Sequence, residues 1–262
     1  MKNGLIVYNK IDEKKNEWFI NRCLEELNDD YFSLLYKEES DVLSYIEENK
    51  IDFVIYRARD YRLIKALEDL GIKAFNNSLT NKVANDKFET FLFCKQYNIP
   101  CIETSLDISN IKEFPIVMKK ANGHGGQYVH LIRRAEEQRQ FDDNDKFIYQ
   151  PFISDASDVR LYVLNNQVVA AVKRENTQDF RSNFSLGGSV SLFMPSKKMK
   201  EIALKASSLL KADFVGVDFI INDKSIFLNE IEDPVGSRML YKTSDIDIIS
   251  LFISYIKNSL KQ

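Results

Sequence analysis

Three carboxylates late in the chain, Asp218, Glu230 and Glu232, are spaced as if to share one site. Asp218 interrupts the apolar run FVGVDFII (214–221), and the polar Asn222–Ser225 separates that run from IFLNEI (226–231). A hairpin turning near Lys224 sets Asp218 opposite Glu230, with Glu232 two residues along on the same face. Cross-strand neighbours have Cβ atoms about 4.5–5.5 Å apart. Acids that close repel one another unless a cation lies between them. Hard oxygen donors in this arrangement suit Mg2+ or Mn2+. An exposed acidic edge, with Asp218 hydrogen-bonded locally, satisfies the same spacing.

A second constellation is the glycine-rich stretch PIVMKKANGHGG (115–126). Glycines let a backbone approach a phosphate and aim N–H groups at it, and Lys119 adds a point charge. There is no Gly-Lys-Ser/Thr and no dinucleotide fingerprint; a plain hairpin turn has the same composition. A third is basic and polar: Asp158, Arg160, Lys173, Arg174, then Asp179-Phe-Arg181-Ser-Asn183 and Gly187-Gly188. Converging arginines can hold a carboxylate or a transferring phosphoryl group; singly, each fits a solvated sheet face. Asp86-Lys87 and Arg238 are unremarkable alone.

The elements that must position these residues follow from the rest of the chain. Its 262 residues are 44% hydrophobic and 29% charged, which excludes wholesale disorder. The length points to about two domains. The net charge of −3 lacks the basic excess of a nucleic-acid binder. Cys23, Cys94 and Cys101 form no CxxC pair, and His124 and His130 are the only histidines, too few for a Cys/His zinc site. The opening apolar run is too short for a signal peptide, and no stretch approaches the ~20 apolar residues of a membrane span. A soluble cytoplasmic protein with reduced thiols is expected.

GLIVY (4–8), residues 31–36, DFVIY (52–56) and residues 72–75 read as strands, alternating with helices over 16–28, after Ser40, and from an Asp60 cap to Leu70 with Gly71 as its stop. That order implies a small parallel sheet covered on both faces. Asn76–Asn81 is a polar break. A helix is expected over about 80–97, then strands through 115–173 with an Asn165-Asn166 hairpin turn, a helix over 196–210, the 214–231 hairpin, and a closing helix over 245–260.

Taken together, these pieces resemble the ATP-grasp superfamily, and within it the RimK-like carboxylate–amine ligases. The resemblance rests on Asn76, Asp86-Lys87 and Asn98-Ile-Pro100; on Pro115–Val129; on Gln150-Pro-Phe-Ile153; on the series from Asp158 through Gly188; and on Asp218, Glu230 and Glu232. It implies an α/β (α+β) ATP-grasp fold: a Rossmann-like pre-ATP-grasp domain over 1–78, a linker helix and lid subdomain over 79–153, and an α+β subdomain with the metal site over 154–262. It implies amide formation through an acyl phosphate, with ATP and Mg2+ (two ions, or Mn2+). Lys87 and Lys119 would hold phosphates, Gly123, Gly125 and Gly126 would close as a lid, Gln150, Pro151, Phe152 and Ile153 would frame adenine, and Asp158 would meet the ribose or its polar network. Arg174, Arg181 and Asn183 would stabilise the transferred phosphoryl group, Arg160 and Arg238 would grip substrate carboxylates, and Asp218, Glu230 and Glu232 would ligate metal. A homo-oligomer is a further implication; nucleic-acid and membrane partners are not.

The chain departs from the family pattern at four places. Glu232 replaces an Asn, adding negative charge. Pro151 replaces the hinge Glu and offers no N–H. Tyr128 replaces the last lid glycine. Asp233–Arg238 replaces a Ser-rich tail bordering the substrate. The departures at Glu232 and Pro151 motivate an alternative, a nucleotide-binding module without ligase activity; an ATP-grasp kinase or thioester-forming enzyme is another.

Overall fold

The computed structural model describes residues 1–126, 128–141, 145–175 and 189–261. Its first sheet comprises β1 (Lys2–Tyr8), β2 (Phe32–Glu38), β3 (Phe53–Tyr56) and β4 (Lys73–Phe75), in the order β2-β1-β3-β4, all parallel. Between them run α1 (Lys10–Leu27), α2 (Val42–Glu48) and α3 (Tyr61–Asp69). Period-two alternation splits the strands between two cores. Ile6, Tyr8, Phe53 and Ile55 face α1, while Leu5, Val7, Val54 and Tyr56 face α2 and α3. Asn9 caps α1 by accepting from the Asp12 N–H at 2.9 Å, and Asp60 caps α3 by accepting from the Arg62 N–H at 2.9 Å. Gly71, at φ 76°, ends α3's turn as expected.

The helix expected over 80–97 is two helices, α4 (Ser78–Asn85) and α5 (Lys87–Gln96). Asp86 breaks it: with φ −130° and ψ 116°, its carboxylate accepts from the N–H of Phe88 at 2.8 Å and starts a new helix. Lys87 thus becomes the first residue of α5. The preceding polar stretch is packed inside. Asn76, Thr80 and Asn81 are buried. Asn76 accepts from the N–H of Asp213 and Phe214 and donates to the Phe214 carbonyl and Asp233 Oδ1, at 2.6 to 2.9 Å.

A three-stranded antiparallel sheet, β6-β5-β7, contains β5 (Ile116–Lys120), β6 (Val129–Ile132) and β7 (Phe147–Pro151). A five-stranded antiparallel sheet contains β8 (Ser157–Leu164), β9 (Gln167–Glu175), β10 (Ser189–Leu192), β11 (Phe214–Ile221) and β12 (Ile226–Glu232), in the order β10-β9-β8-β11-β12. Asn165 and Asn166 both adopt positive φ, the geometry of a type I′ hairpin turn. α6 (Lys197–Leu210) covers one face of this sheet through Val159, Leu161, Val217 and Phe219. Beyond β12 lie α7 (Arg238–Thr243), which the sequence pattern did not predict, and α8 (Ile248–Lys261), which starts three residues later than expected. α8 packs Phe252, Ile253 and Ile256 into the same core as Phe19, Phe53 and Phe75. Among the described residues, no helix is long and apolar enough to cross a membrane.

Candidate active site

The second face of the five-stranded sheet carries a grid of charge. Register puts Asp158 opposite Arg174, Arg160 opposite Asp218, and Asp218 opposite Glu230, the last as the hairpin spacing required. Pairing then slips by one, leaving Asn229 as an extra residue on β12. Arg160 grips Asp218 with two bonds of 2.7 Å and reaches Glu232 at 2.6 Å. Arg174 donates to Asp218 at 2.6 Å and also to Asp158. Gly216 makes room for this. A Cβ there would stand 2.8 Å from Val235 and 3.3 Å from Arg160.

Electrostatics follows the contacts. Burial alone would raise the Asp218 carboxyl, but the Arg160 and Arg174 guanidiniums hold it well below the usual carboxylate range. Asp158 moves the other way, raised by burial against the pull of Arg174. Arg160, expected to grip a substrate carboxylate, grips Asp218 and Glu232 of the chain itself, and Asp158 meets Arg174.

One cavity of about 290 Å³ opens beside this grid. At its charged end, Lys119 of β5 is 9% exposed and donates to Asn229 Oδ1 at 2.9 Å. Burial lowers its pKa. Lys87 donates to the Gly123 carbonyl. The two amines lie 3.7 and 4.0 Å from the Glu230 carboxylate, looser than a direct charged bond. Gly123, Gly125 and Gly126 line the mouth, with Gly125 and Gly126 at positive φ. The other end is apolar, lined by Ile102, Val117, Ile220 and the 150–153 segment. There Gln150 donates to Thr104 at 2.9 Å and keeps its Oε1 buried without a partner among the described residues. Pro151 has no N–H, and that of Phe152 bonds the Pro115 carbonyl at 3.2 Å.

A second cavity, of about 330 Å³, shares Lys87, Arg174, Glu230 and Glu232 with the first. Its far wall comes from the parallel sheet and α1: Arg57, Arg59 and Trp18. Arg238, exposed at the start of α7, borders this cavity alone. Arg57, Arg59, Trp18 and Asn229 escaped sequence reasoning. The strand order points to the first two, because Arg57 directly follows β3 and Arg59 lies two residues further on; a one-residue bulge leaves no sequence signal.

Arg181 and Asn183, with Asp179 and Gly187-Gly188, lie outside the described residues. Among the described residues, no group of three or more His, Cys, Asp or Glu is arranged to hold a metal ion, and arginines occupy both oxygens of Asp218.

Comparison with known proteins accords with this geometry. Residues 97–256 match the RimK-like ATP-grasp domain. The chain is 30% identical to the uncharacterized protein MG011 of Mycoplasma genitalium, covering 100% of this chain and 94% of that protein. It is 27% identical to a probable alpha-L-glutamate ligase of Haemophilus influenzae, covering 90% and 86%. It is 28% identical to the glutamate–LysW ligase ArgX of Sulfolobus acidocaldarius, covering 76% and 79%. Its fold matches a D-alanine–D-alanine ligase of Bacillus anthracis with TM-score 0.80 and 15% identity, over 100% of this chain and 98% of that one. The protein is an ATP-grasp ligase by class. It belongs to the RimK-like ATP-grasp family.

Proposed function

We propose that this chain is an ATP-dependent carboxylate–amine ligase working through an acyl phosphate. One observation carries the reading: a cavity apolar at one end and lysine-lined at the other shares a wall with a second, cation-rich cavity. The base of ATP sits against residues 150–153, and its phosphates lie by Lys87, Lys119 and the Gly123–Gly126 loop. A substrate carboxylate oxygen bonds the γ-phosphorus as the β–γ bridge breaks, and ADP leaves with the electron pair. An amine nitrogen then bonds the carbonyl carbon, phosphate departs, and the nitrogen gives up a proton. Protein groups position and neutralise throughout. Arg174 lies between the two cavities, where it stabilises the transferred group; Arg181 and Asn183 are proposed to join it. Arg238 faces the substrate side.

The acids fit a divalent cation by their donor chemistry. Glu230 is held only loosely by its lysines, and the Glu232 side chain is 31% exposed. Phosphates give Lys87 and Lys119 a stronger partner and release Glu230. Glu230 and the partly exposed Glu232 would then be the donors open to Mg2+, which would supply charge neutralisation on the phosphates, with Asp218 joining them only if it left Arg160 and Arg174. Two relatives are named as glutamate ligases, which makes L-glutamate the first amine to test.

Thermal unfolding with and without a non-hydrolysable ATP analogue plus Mg2+ tests the site. At a hundredfold excess over Kd, binding should add about 2.7 kcal/mol. The shift should vanish in Lys119→Ala. Glu230→Ala should abolish ADP release with little loss of stability; retained turnover would sink its metal role. The engaged state of Asp218 favours a second reading, a nucleotide-binding module without turnover. It predicts analogue binding with no ADP released by any acid and amine.

A further inference from the structure

The second cavity makes a different demand on its ligand from the first. It lies at the carboxyl ends of β1 and β3, which are neighbours in the parallel sheet. From β1 the chain adds β2 on one side, and β3 then β4 on the other, so the order reverses between β1 and β3. Such a reversal opens a crevice where open α/β sheets take ligands.

Arg57, the residue after β3, sits in that crevice. It is 5% exposed and forms no ion pair with a carboxylate among the described residues. Its Nε donates to the Tyr8 hydroxyl at 2.6 Å and its Nη2 to the Val235 carbonyl at 2.8 Å, while the Phe19 ring lies 4.1 Å from the guanidinium carbon. These contacts orient the fork and leave Nη1 without a partner among the described residues. Asp233, bonded to Asn76 and Asn81, acts on Arg57 only through space; a buried cation without a directly bonded carboxylate is costly, and an anionic ligand lowers that cost.

The rest of the cavity is short of acceptors too. Trp18 Nε1, Arg59 Nε and Ser237 Oγ are buried without partners among the described residues. The acids on its walls are already engaged: Asp12 with Arg59, Glu232 with Arg160, Glu230 near its two lysines, and Asp233 with Asn76 and Asn81.

We propose that this crevice binds a carboxylate that the reaction does not consume, and that Arg57 is the residue selecting it over a neutral group. The proposal rests on the ligase reading above, and the carboxylate belongs to either the acid or the amine substrate.

Trp18 is the sole tryptophan, so its fluorescence reports on the cavity directly. The probes are L-glutamate and its two monoamides, L-glutamine and L-isoglutamine, titrated into protein saturated with the ATP analogue and Mg2+. Wild type should prefer L-glutamate over at least one monoamide by about tenfold or more. Arg57→Met should lose that preference while the analogue binds unchanged. Arg57→Lys, which keeps the charge without the fork, should lose most of it. Tyr8→Phe, which keeps the cation but frees its Nε, gives a second, milder variant and should weaken L-glutamate by a smaller factor. Hydroxylamine separates the two sources during turnover with ATP. A glutamate hydroxamate assigns the carboxylate to the acid substrate, and its absence to the amine substrate. The proposal falls if L-glutamate fails to bind wild type that does bind the analogue. It falls equally if Arg57→Met keeps the preference for L-glutamate. Failure of the analogue itself to bind wild type overturns the ligase reading instead.

Discussion

The charged face of the five-stranded sheet and the crevice above the parallel sheet treat buried charge in opposite ways. On the first, every buried acid has its base: Asp218 takes Arg160 and Arg174, Arg174 also takes Asp158, and Arg160 also takes Glu232. In the second, Arg57 is as buried as those arginines and, among the described residues, bonds a hydroxyl and a carbonyl and lies over rings, with no carboxylate in direct contact. The two surfaces are a few residues apart along the same cavity wall. A neutralised grid keeps its geometry without ligand and rearranges only when a more highly charged group arrives. A cation with no directly bonded carboxylate instead favours taking up a single anion. Stability and recognition are thus assigned to different arginines.

Breaking the grid should have the largest effect. Asp218→Ala strands two buried guanidiniums and should cost about 3–5 kcal/mol in urea unfolding, with ADP release lost as well. Next comes the junction between the two surfaces. Asn76→Ala removes four buried hydrogen bonds that tie the end of β4 to β11 and Asp233. It should cost about 3 kcal/mol by the same measurement. Gly216→Ala pushes a methyl group against Val235 and Arg160. A loss of about 1–3 kcal/mol is expected, with a larger relative fall in turnover if the Arg160 bridge sets the site.

Asp213 lies outside both surfaces and serves as a titrating control. Burial pushes its carboxyl from an ordinary 3.8 up to about 6. Its protonated form therefore favours the folded state; that contribution is complete below pH 3.8 and is lost as pH rises through about 6. Asp213→Asn should remove the loss, leaving a net gain of about 1 kcal/mol at pH 8 after the unpartnered amide is counted. At pH 4 the same change should be destabilising, and chemical denaturation at the two values checks the reversal of sign. The smallest stability change belongs to the crevice: Arg57→Met should alter unfolding by about 1 kcal/mol or less, since the lost hydrogen bonds are offset by the removal of an unpaired charge. A loss as large as that of Asp218→Ala would erase the contrast between the two surfaces.

How much of this was legible in the sequence depends on range. The pairing of Asp218 with Glu230 follows from a period of two and a short turn, and the Asn165-Asn166 turn from the tolerance of Asn for positive φ. The parallel first sheet follows from alternating strands and helices. The break at Asp86 did not emerge, because the apolar pattern continues across it and only the cap interrupts the helix. Nor did the partners of Asp218. Arg160 and Arg174 come from strands some 40 to 60 residues away, as their separations of 58 and 44 record, and pattern within one strand carries no information about its neighbour. The asparagines at 76 and 81 looked like a solvated break because polarity alone does not separate a loop from a buried hydrogen-bonding hub.

One packing arrangement has a bearing on synthesis. The face of the first sheet built from Ile6, Phe53 and Phe75 shares its core with Phe252, Ile253 and Ile256 of α8. The ribosome makes these strands first and that helix some 170 residues after the last of them. Until α8 emerges, α1 alone covers that face and the part that Phe252, Ile253 and Ile256 will fill stays open, a surface of the kind chaperones shield on nascent chains. Fusions or truncations that remove Ile248–Lys261 should leave it in that state permanently.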